Sequence, residues 1–572
     1  MIFIIPLLIG MVVYVAVEAR RSGGIGVEPE LVGTPGTRGS SPKAVIQLAR
    51  AEMRRLRRSP VFISGILMFS FAGFAIGFRQ ISLLHETDSD LALFFFPLAW
   101  MTLLATNLAV LRGRRDSVEE LFGTMPVSRD ARTLAHIASI AAAFFAAVTL
   151  LAFTLAFMVW QGFSGTPDLG ELLTGPLLVF CAGIVGVATA RIIPSSIGGL
   201  MALVLMGVLQ GLIDHYSHEA EHVSHWFAFW VSEPEEWPGD LLSRRPWSHL
   251  LYLSGLGMFA AVCGFLRHRR DRTVLIALGV SLMVAATGGF VQSRPRTDAE
   301  WDRIASWMAE PAKHQTCVID EQVRYCSYDN YEGVRAEWIR VVSGVRALVP
   351  PQARDRLTEV RQRIPASTLW LVPRQIKARI GSLAVRGNLW PQDGTLHPSD
   401  SWWCVSSHCG LDLSIHAATL LVGLPTQGRP APPGNTGPDG DPQPILKVDA
   451  SGSARSVIAL WLGAAASDST RKQMLGLAGR TIPADAEEAW RGDPLGPTSI
   501  EGCGGVADTG TLYGRNDIGL AVSMLRLPRD EVARTISREW DQLTTPDATA
   551  MDVADLLDLQ IPEPRAGYFA FC

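Results

Sequence analysis

Apolar positions fall into long, unbroken runs as far as residue 292 and into short helical repeats beyond it. The runs cover 1–18, 61–83, 91–111, 133–159, 171–190, 195–213, 247–266 and 273–292. A helix needs roughly 20 apolar residues to cross the hydrocarbon core, so the pattern predicts a polytopic helical membrane region of about eight spans. Gly198-Gly199 interrupts one run, and membrane helices tolerate glycine better than soluble ones do. After residue 292 no run is long enough to span. There WDRIASWMAE (301–310), EGVRAEWIRVVSGVRALV (332–349), SVIALWLGAAA (456–466) and much of 528–559 carry apolar residues at three- and four-residue spacing. That period predicts helices, and residues 301–363 read as mainly helical. Residues 293–572 are long enough to build a core of their own. The Pro/Gly-rich stretch 424–444 reads as an exposed loop inside them.

The polar segments between the runs orient the chain. Residues 50–58 (RAEMRRLRR), 112–132 and 267–272 (RHRRDR) are basic, whereas 85–90 (HETDSD) and 161–171 are acidic or neutral. With eight spans the two sets alternate without violation, as the positive-inside rule requires. The amino terminus and residues 293–572 then lie outside, in the plasma membrane of a cell, and the Gly/Pro/Ser-rich linker 19–42 lies in the cytoplasm. The domains expected are a first helix at 1–18, the linker at 19–42, a membrane domain at 43–292 and an extracytoplasmic domain at 293–572. Reading 1–18 as a signal peptide would require a positively charged start, and it begins Met1-Ile2-Phe3.

Composition agrees with the membrane reading. The 572 residues are 48% hydrophobic and 19% charged, against about 25% charged in soluble proteins. The net charge of -4 and the confinement of basic clusters to loops disfavour nucleic acid. Cys181 and Cys263 lie in apolar runs as small hydrophobes, while Cys317, Cys326, Cys404, Cys409, Cys503 and Cys572 all follow the last run. An even set on one side of a membrane suggests disulfides. Proximity favours Cys317–Cys326 and Cys404–Cys409, leaving Cys503 with Cys572. Tyr325, Tyr328 and Tyr331 are expected to pack the first of these.

The most informative segment is 112–133, RGRRDSVEELFGTMPVSRDART. A basic cluster leads into Val118-Glu119-Glu120-Leu121, then a small-residue turn, then Met125-Pro126-Val127-Ser128-Arg129. This stretch resembles the coupling helix of ABC-2 type permeases, which runs basic–x–GT–x–E–x–L–x–x–x–Pro-Val-Ser. Asp116-Ser117 stands where the family has Gly-Thr. Upstream, Ser41-Pro42 starts an amphipathic helix with Val45, Ile46, Leu48, Ala51 and Leu56 against Arg50, Arg54, Arg57 and Arg58, suited to the headgroup plane. It resembles the elbow helix that opens those permeases, worded close to E-x-x-R-x-x-R-S-P, and its basic residues are Arg54, Arg55, Arg57 and Arg58. The likeness covers 41–266 in the family's order of parts, including an aromatic outer element, HWFAFWV, between the fifth and sixth core spans.

The resemblance implies an ABC-2-like membrane core and the permease subunit of an ATP-driven exporter. It implies coupling through a helix near 114–127, with Arg115, Glu119, Glu120, Phe122, Met125 and Pro126 as contacts. No G-x-x-x-x-G-K-[ST] phosphate loop is present. ATP and its magnesium therefore belong to a separate cytosolic ATPase, and this chain, a homodimer or paired permease, is expected to be no enzyme and to carry no catalytic residue. Two alternatives stay open. One is a non-transporting signalling or assembly protein acting through its outer domain. The other is a zinc protease, because His218-Glu219-Ala220-Glu221-His222 matches H-E-x-x-H. His215, His218, His222 and His225 fall on one helix face and could equally hold metal without catalysis. Against a protease, the motif's flanks are polar: Asp214, Tyr216, Ser217 and Ser224. In the outer domain, His408 beside Ser407 makes no dyad on adjacency alone, and Trp402-Trp403 read as core.

Overall fold

The computed structural model describes residues 42–77, 84–116, 128–161, 163, 165–216, 229, 245–267, 269–295, 297–363, 394–396, 409–425, 448–478 and 511–561. Up to residue 293 it is helical: α1 (Pro42–Arg57), α2 (Pro60–Gly77), α3 (Leu84–Arg115), α4 (Arg129–Ser139), α5 (Ala141–Trp160), α6 (Leu169–Ile192), α7 (Ser196–Tyr216), α8 (Pro246–Leu266) and α9 (Arg272–Gln292). Five segments are long and apolar enough to cross a membrane: 91–115, 129–160, 169–192, 246–266 and 272–292. They fit a multi-pass helical membrane protein. Two more apolar helices, α2 and α7, follow the predicted runs at 61–83 and 195–213. These two helices are 18 and 21 residues long, with Pro60–Phe71 and Ser196–Leu212 as their described apolar stretches. The run at 1–18 lies outside the described residues.

Element ends differ from expectation where polar residues continue a helix. The acidic 85–90 segment, expected as a loop, forms the first turns of α3, because nothing in His-Glu-Thr-Asp-Ser-Asp breaks a helix. Pro97 lies inside α3, as membrane helices allow. The expected 133–159 span begins earlier, where the Ser128 hydroxyl accepts from Ala131 N at 3.1 Å and caps α4. Asp168 caps α6 in the same way, accepting from Gly170 N at 2.6 Å.

The centre of the bundle is α6, buried almost all round. On α3, the Thr106 hydroxyl donates to Gly183 O at 2.9 Å and Asn107 Nδ2 donates to Gly186 O at 3.3 Å. A Cβ on Gly186 would stand 2.2 Å from Leu103 O, so the missing side chain is what permits the approach. Glycines join α8 to α9 likewise, Gly255 against Ala285 and Gly288 against Tyr252. Cys181 is buried and Cys263 half-buried, both as free thiols.

From residue 297 on, helices alternate with short strands. They are α10 (Asp298–Ala309), β1 (Gln315–Asp320), β2 (Val323–Tyr328), α11 (Glu332–Arg346), α12 (Pro351–Arg354), β3 (Glu359–Arg361), β4 (Thr395–Leu396), α13 (Cys409–Leu421), β5 (Val448–Asp449), α14 (Ala454–Ala465), α15 (Asp468–Ala478), β6 (Thr511–Leu512), α16 (Arg515–Met524), α17 (Arg529–Arg538), α18 (Trp540–Leu543) and α19 (Ala550–Leu556). A four-stranded sheet runs β1-β2-β3-β4, antiparallel at its first pair and parallel afterwards, and β5 pairs parallel with β6. The reading of 301–363 as mainly helical therefore misses a hairpin. Its two-residue turn is Glu321-Gln322, with φ of 42° and 69°, and no glycine or asparagine announces it. Cys317 and Cys326 face each other across this hairpin and form a disulfide. Tyr325, Tyr328 and Tyr331 are fully buried. Strand alternation sends Tyr325 to the face opposite Cys326, so it does not pack the disulfide as expected. Tyr328, two residues on, shares the face of Cys326 and stacks on Trp307 with ring centroids 5.3 Å apart.

Candidate functional site

The flanks of the segment expected to act lie at the arginine-rich end of the bundle. Helix α1 packs on α4 and touches the end of α3. The segment 117–127, which carries Glu119, Glu120, Phe122, Met125 and Pro126, lies outside the described residues. Its two flanks are described. On one side α3 ends in Arg112, Arg114 and Arg115, with Arg115 Nε 3.7 Å from Asp116 Oδ1. On the other, Ser128 caps α4, whose first turns carry Arg129 and Arg132.

Three of the predicted elbow arginines, Arg54, Arg55 and Arg57, lie in the last turn of α1, and Arg58 follows it directly. Arg54, Arg57 and Arg58 are exposed, and Arg55 donates to Glu52 Oε1 at 2.7 Å. The apolar face of α1 is turned from the expected one. Ala49, Glu52 and Leu56 are buried, and Ile46 is exposed. Positions 45, 49, 52 and 56 repeat at helical spacing, and that stripe meets α4.

Glu52 stands at the glutamate of the E-x-x-R-x-x-R-S-P wording but was not among the residues expected to act. It is the one carboxylate in α1, it sits on the packed stripe, and its side chain is 7% exposed. Its Oε2 stands 3.5 Å from Arg112 Nη1 without a hydrogen bond. The cations that face it are Arg55 of its own helix and Arg112 of α3. A glutamate on the apolar stripe of a basic helix was the available signal. At the same end, Arg267 Nη1 donates to Ile192 O at 2.6 Å. Asp271 caps α9, and its carboxyl is held below the usual range by the Val274 backbone N–H and by Arg269.

The histidine set is not assembled in the described residues. His215 lies in the last turn of α7, with its side chain outside the described set, and His218, His222 and His225 lie outside it altogether. Cys409 opens α13, and Cys404, Cys503 and Cys572 lie outside the described residues. At the opposite end of the bundle, Phe229 is held by two membrane helices. Gln210 Oε1 accepts from its N–H at 3.0 Å, and the buried His249 ring meets its carbonyl at 3.1 Å and Gln292 at 2.9 Å.

Beyond the bundle, a cleft of 740 Å³ lies between the hairpin turn and the end of α11, lined by Glu321, Gln322, Arg346 and Arg354 among others. Arg346, its side chain 8% exposed, already donates to Glu321 O at 2.7 Å, so it fastens the turn. The junction with the bundle is more elaborate. Arg245, the residue before α8, donates to Val291 O at 2.7 Å and to Glu300 Oε1 at 3.2 Å. Glu300 also closes a capping box with Thr297. The Thr297 backbone N–H, its hydroxyl and Arg245 hold the Glu300 carboxyl down to about 2. A second tie runs from Thr166 Oγ1 to Asn330 Oδ1 at 2.9 Å.

No family model, no curated protein and no solved structure matches this chain.

Proposed function

We propose that this chain is the permease subunit of an ATP-driven exporter, moved by a separate cytosolic ATPase. What supports the reading is the meeting of α1, the end of α3 and the start of α4 on either side of residues 117–127. A soluble motor needs such a place, where a short segment is joined on both sides to packed membrane helices. The 117–127 sequence supplies two adjacent carboxylates and a Pro-ended turn for that contact. Transport then consists of helix packings that ATP binding biases between alternatives, with no bond made or broken in this chain. Two permease protomers line the path, and residues 297–561 stand on the far side of the membrane from the motor.

The test is recovery of the tagged chain from its own membranes, comparing wild type with Glu119→Arg/Glu120→Arg. The expected result is an ATP-hydrolysing protein that accompanies the wild type and is lost from the double variant. Recovery of no ATPase with either chain refutes the proposal.

A further inference from the structure

A carboxylate buried at a membrane face is costly unless it is paired, and a helix that only rests on lipid has no use for one. In α1 the stripe around Ala49 and Leu56 would be filled as well by alanine or leucine. Glu52 occupies it instead, 6% exposed, with one oxygen on Arg55 and the other facing Arg112. Arg112 belongs to the last turn of α3, immediately before the segment expected to meet the motor. The stripe that carries Glu52 packs on α4, which begins immediately after that segment.

We propose that Glu52 is a positioning residue that ties α1 to the end of α3, making α1 a strut between the two flanks of 117–127. The inference rests on the exporter reading for its purpose, and on geometry alone for its existence. Without this tie, a displacement of 117–127 would reach the end of α3 and the start of α4 separately, each through its own packing on α6. With Glu52 paired, α3, α1 and α4 move together and the push enters the bundle as one motion. Arg55, more than half exposed, holds the carboxylate from the same helix, and Arg112 is the partner that crosses between helices.

The experiment compares wild type, Glu52→Gln, Glu52→Arg and the swap Glu52→Arg/Arg112→Glu in nanodiscs by hydrogen–deuterium exchange. In Glu52→Gln, exchange in the last turn of α3 and the first turn of α4 is expected to rise at least tenfold. Exchange in α17, far along the chain, should stay unchanged as the control for folding. The swap should bring the affected turns back to within about threefold of wild type. Unchanged exchange in Glu52→Gln, or a swap no better than Glu52→Arg, overturns the proposal. Should Glu52→Gln unfold throughout, Glu52→Asp takes its place, with a smaller rise confined to the same turns expected. A second readout separates positioning from plain stability. ATP hydrolysis per mole of recovered ATPase should fall at least fivefold in Glu52→Gln at equal recovery, and return in the swap. Unchanged hydrolysis overturns the transmitting role. If wild type recovers no ATPase, the exporter reading fails while the exchange result still decides whether Glu52 ties the helices.

Discussion

Replacing Gly186 by alanine tests the packing at the centre of the bundle. The new Cβ would stand 2.2 Å from Leu103 O and 2.3 Å from Thr106 Oγ1, where ordinary contact begins at 3.4 Å. Helices α3 and α6 must then part by about 1.2 Å, the difference between 3.4 and 2.2. Overpacking of this kind costs about 1–3 kcal/mol. The same movement stretches the Thr106–Gly183 and Asn107–Gly186 hydrogen bonds, and interhelical bonds in membranes contribute about 0.6 kcal/mol each. The expected loss is therefore about 2–4 kcal/mol. Gly279→Ala is the matched control, since a Cβ there meets nothing within 4 Å and alanine is the better helix former. Reversible unfolding of the purified chain in mixed detergent, followed by helical signal, gives both differences. A Gly186→Ala variant within about 0.5 kcal/mol of wild type, the spread expected of a neutral surface change, would refute a closest approach of α3 and α6 at this residue.

Two further outcomes follow from the C-terminal part. Asp517 is fully buried and accepts from Gly452 N, Gly514 N and Ser456 Oγ at 2.8–3.1 Å. Alanine there strands three donors, at about 1–3 kcal/mol for each one left buried. Asp517→Ala should therefore lower the melting temperature and expose 448–561 to proteolysis, with Asp517→Asn falling less. Glu300, depressed from 4.5 to about 2, gives stability that is complete above 4.5 and is lost as the pH falls toward 2. Between pH 5 and 2.5 the melting temperature of wild type should therefore drop more steeply than that of Glu300→Gln, and equal slopes would show that the carboxylate is not held.

Apolar length was the most legible property of the chain. The runs at 91–111, 133–159, 171–190, 247–266 and 273–292 all lie within helices long enough to span. Local pattern failed where two elements had to find each other. The hairpin at 315–328 is held by pairing and by a turn whose positive φ values fall on glutamate and glutamine, so no turn residue marks it. Glu52 was visible as a letter but not as a site, because its meaning comes from Arg112, 60 positions away in the chain and 3.5 Å away in space. The glycines of α6 read as helix weakeners in isolation. Only α3 beside them shows that they are the fitting surface.

The tie at Arg245 carries a consequence for movement. One guanidinium joins the start of α8, the end of α9 and the first turn of α10, while Asn330 rests on Thr166 in the connection from α5 to α6. Among the described residues, the C-terminal part thus bears on the bundle at these two separated points, as a splint bears on either side of a joint. A tilt of the α8–α9 pair against the α5–α6 connection must break one point or bend the splint. Spreading that end of the bundle therefore costs the hydrogen bonds at one of these points.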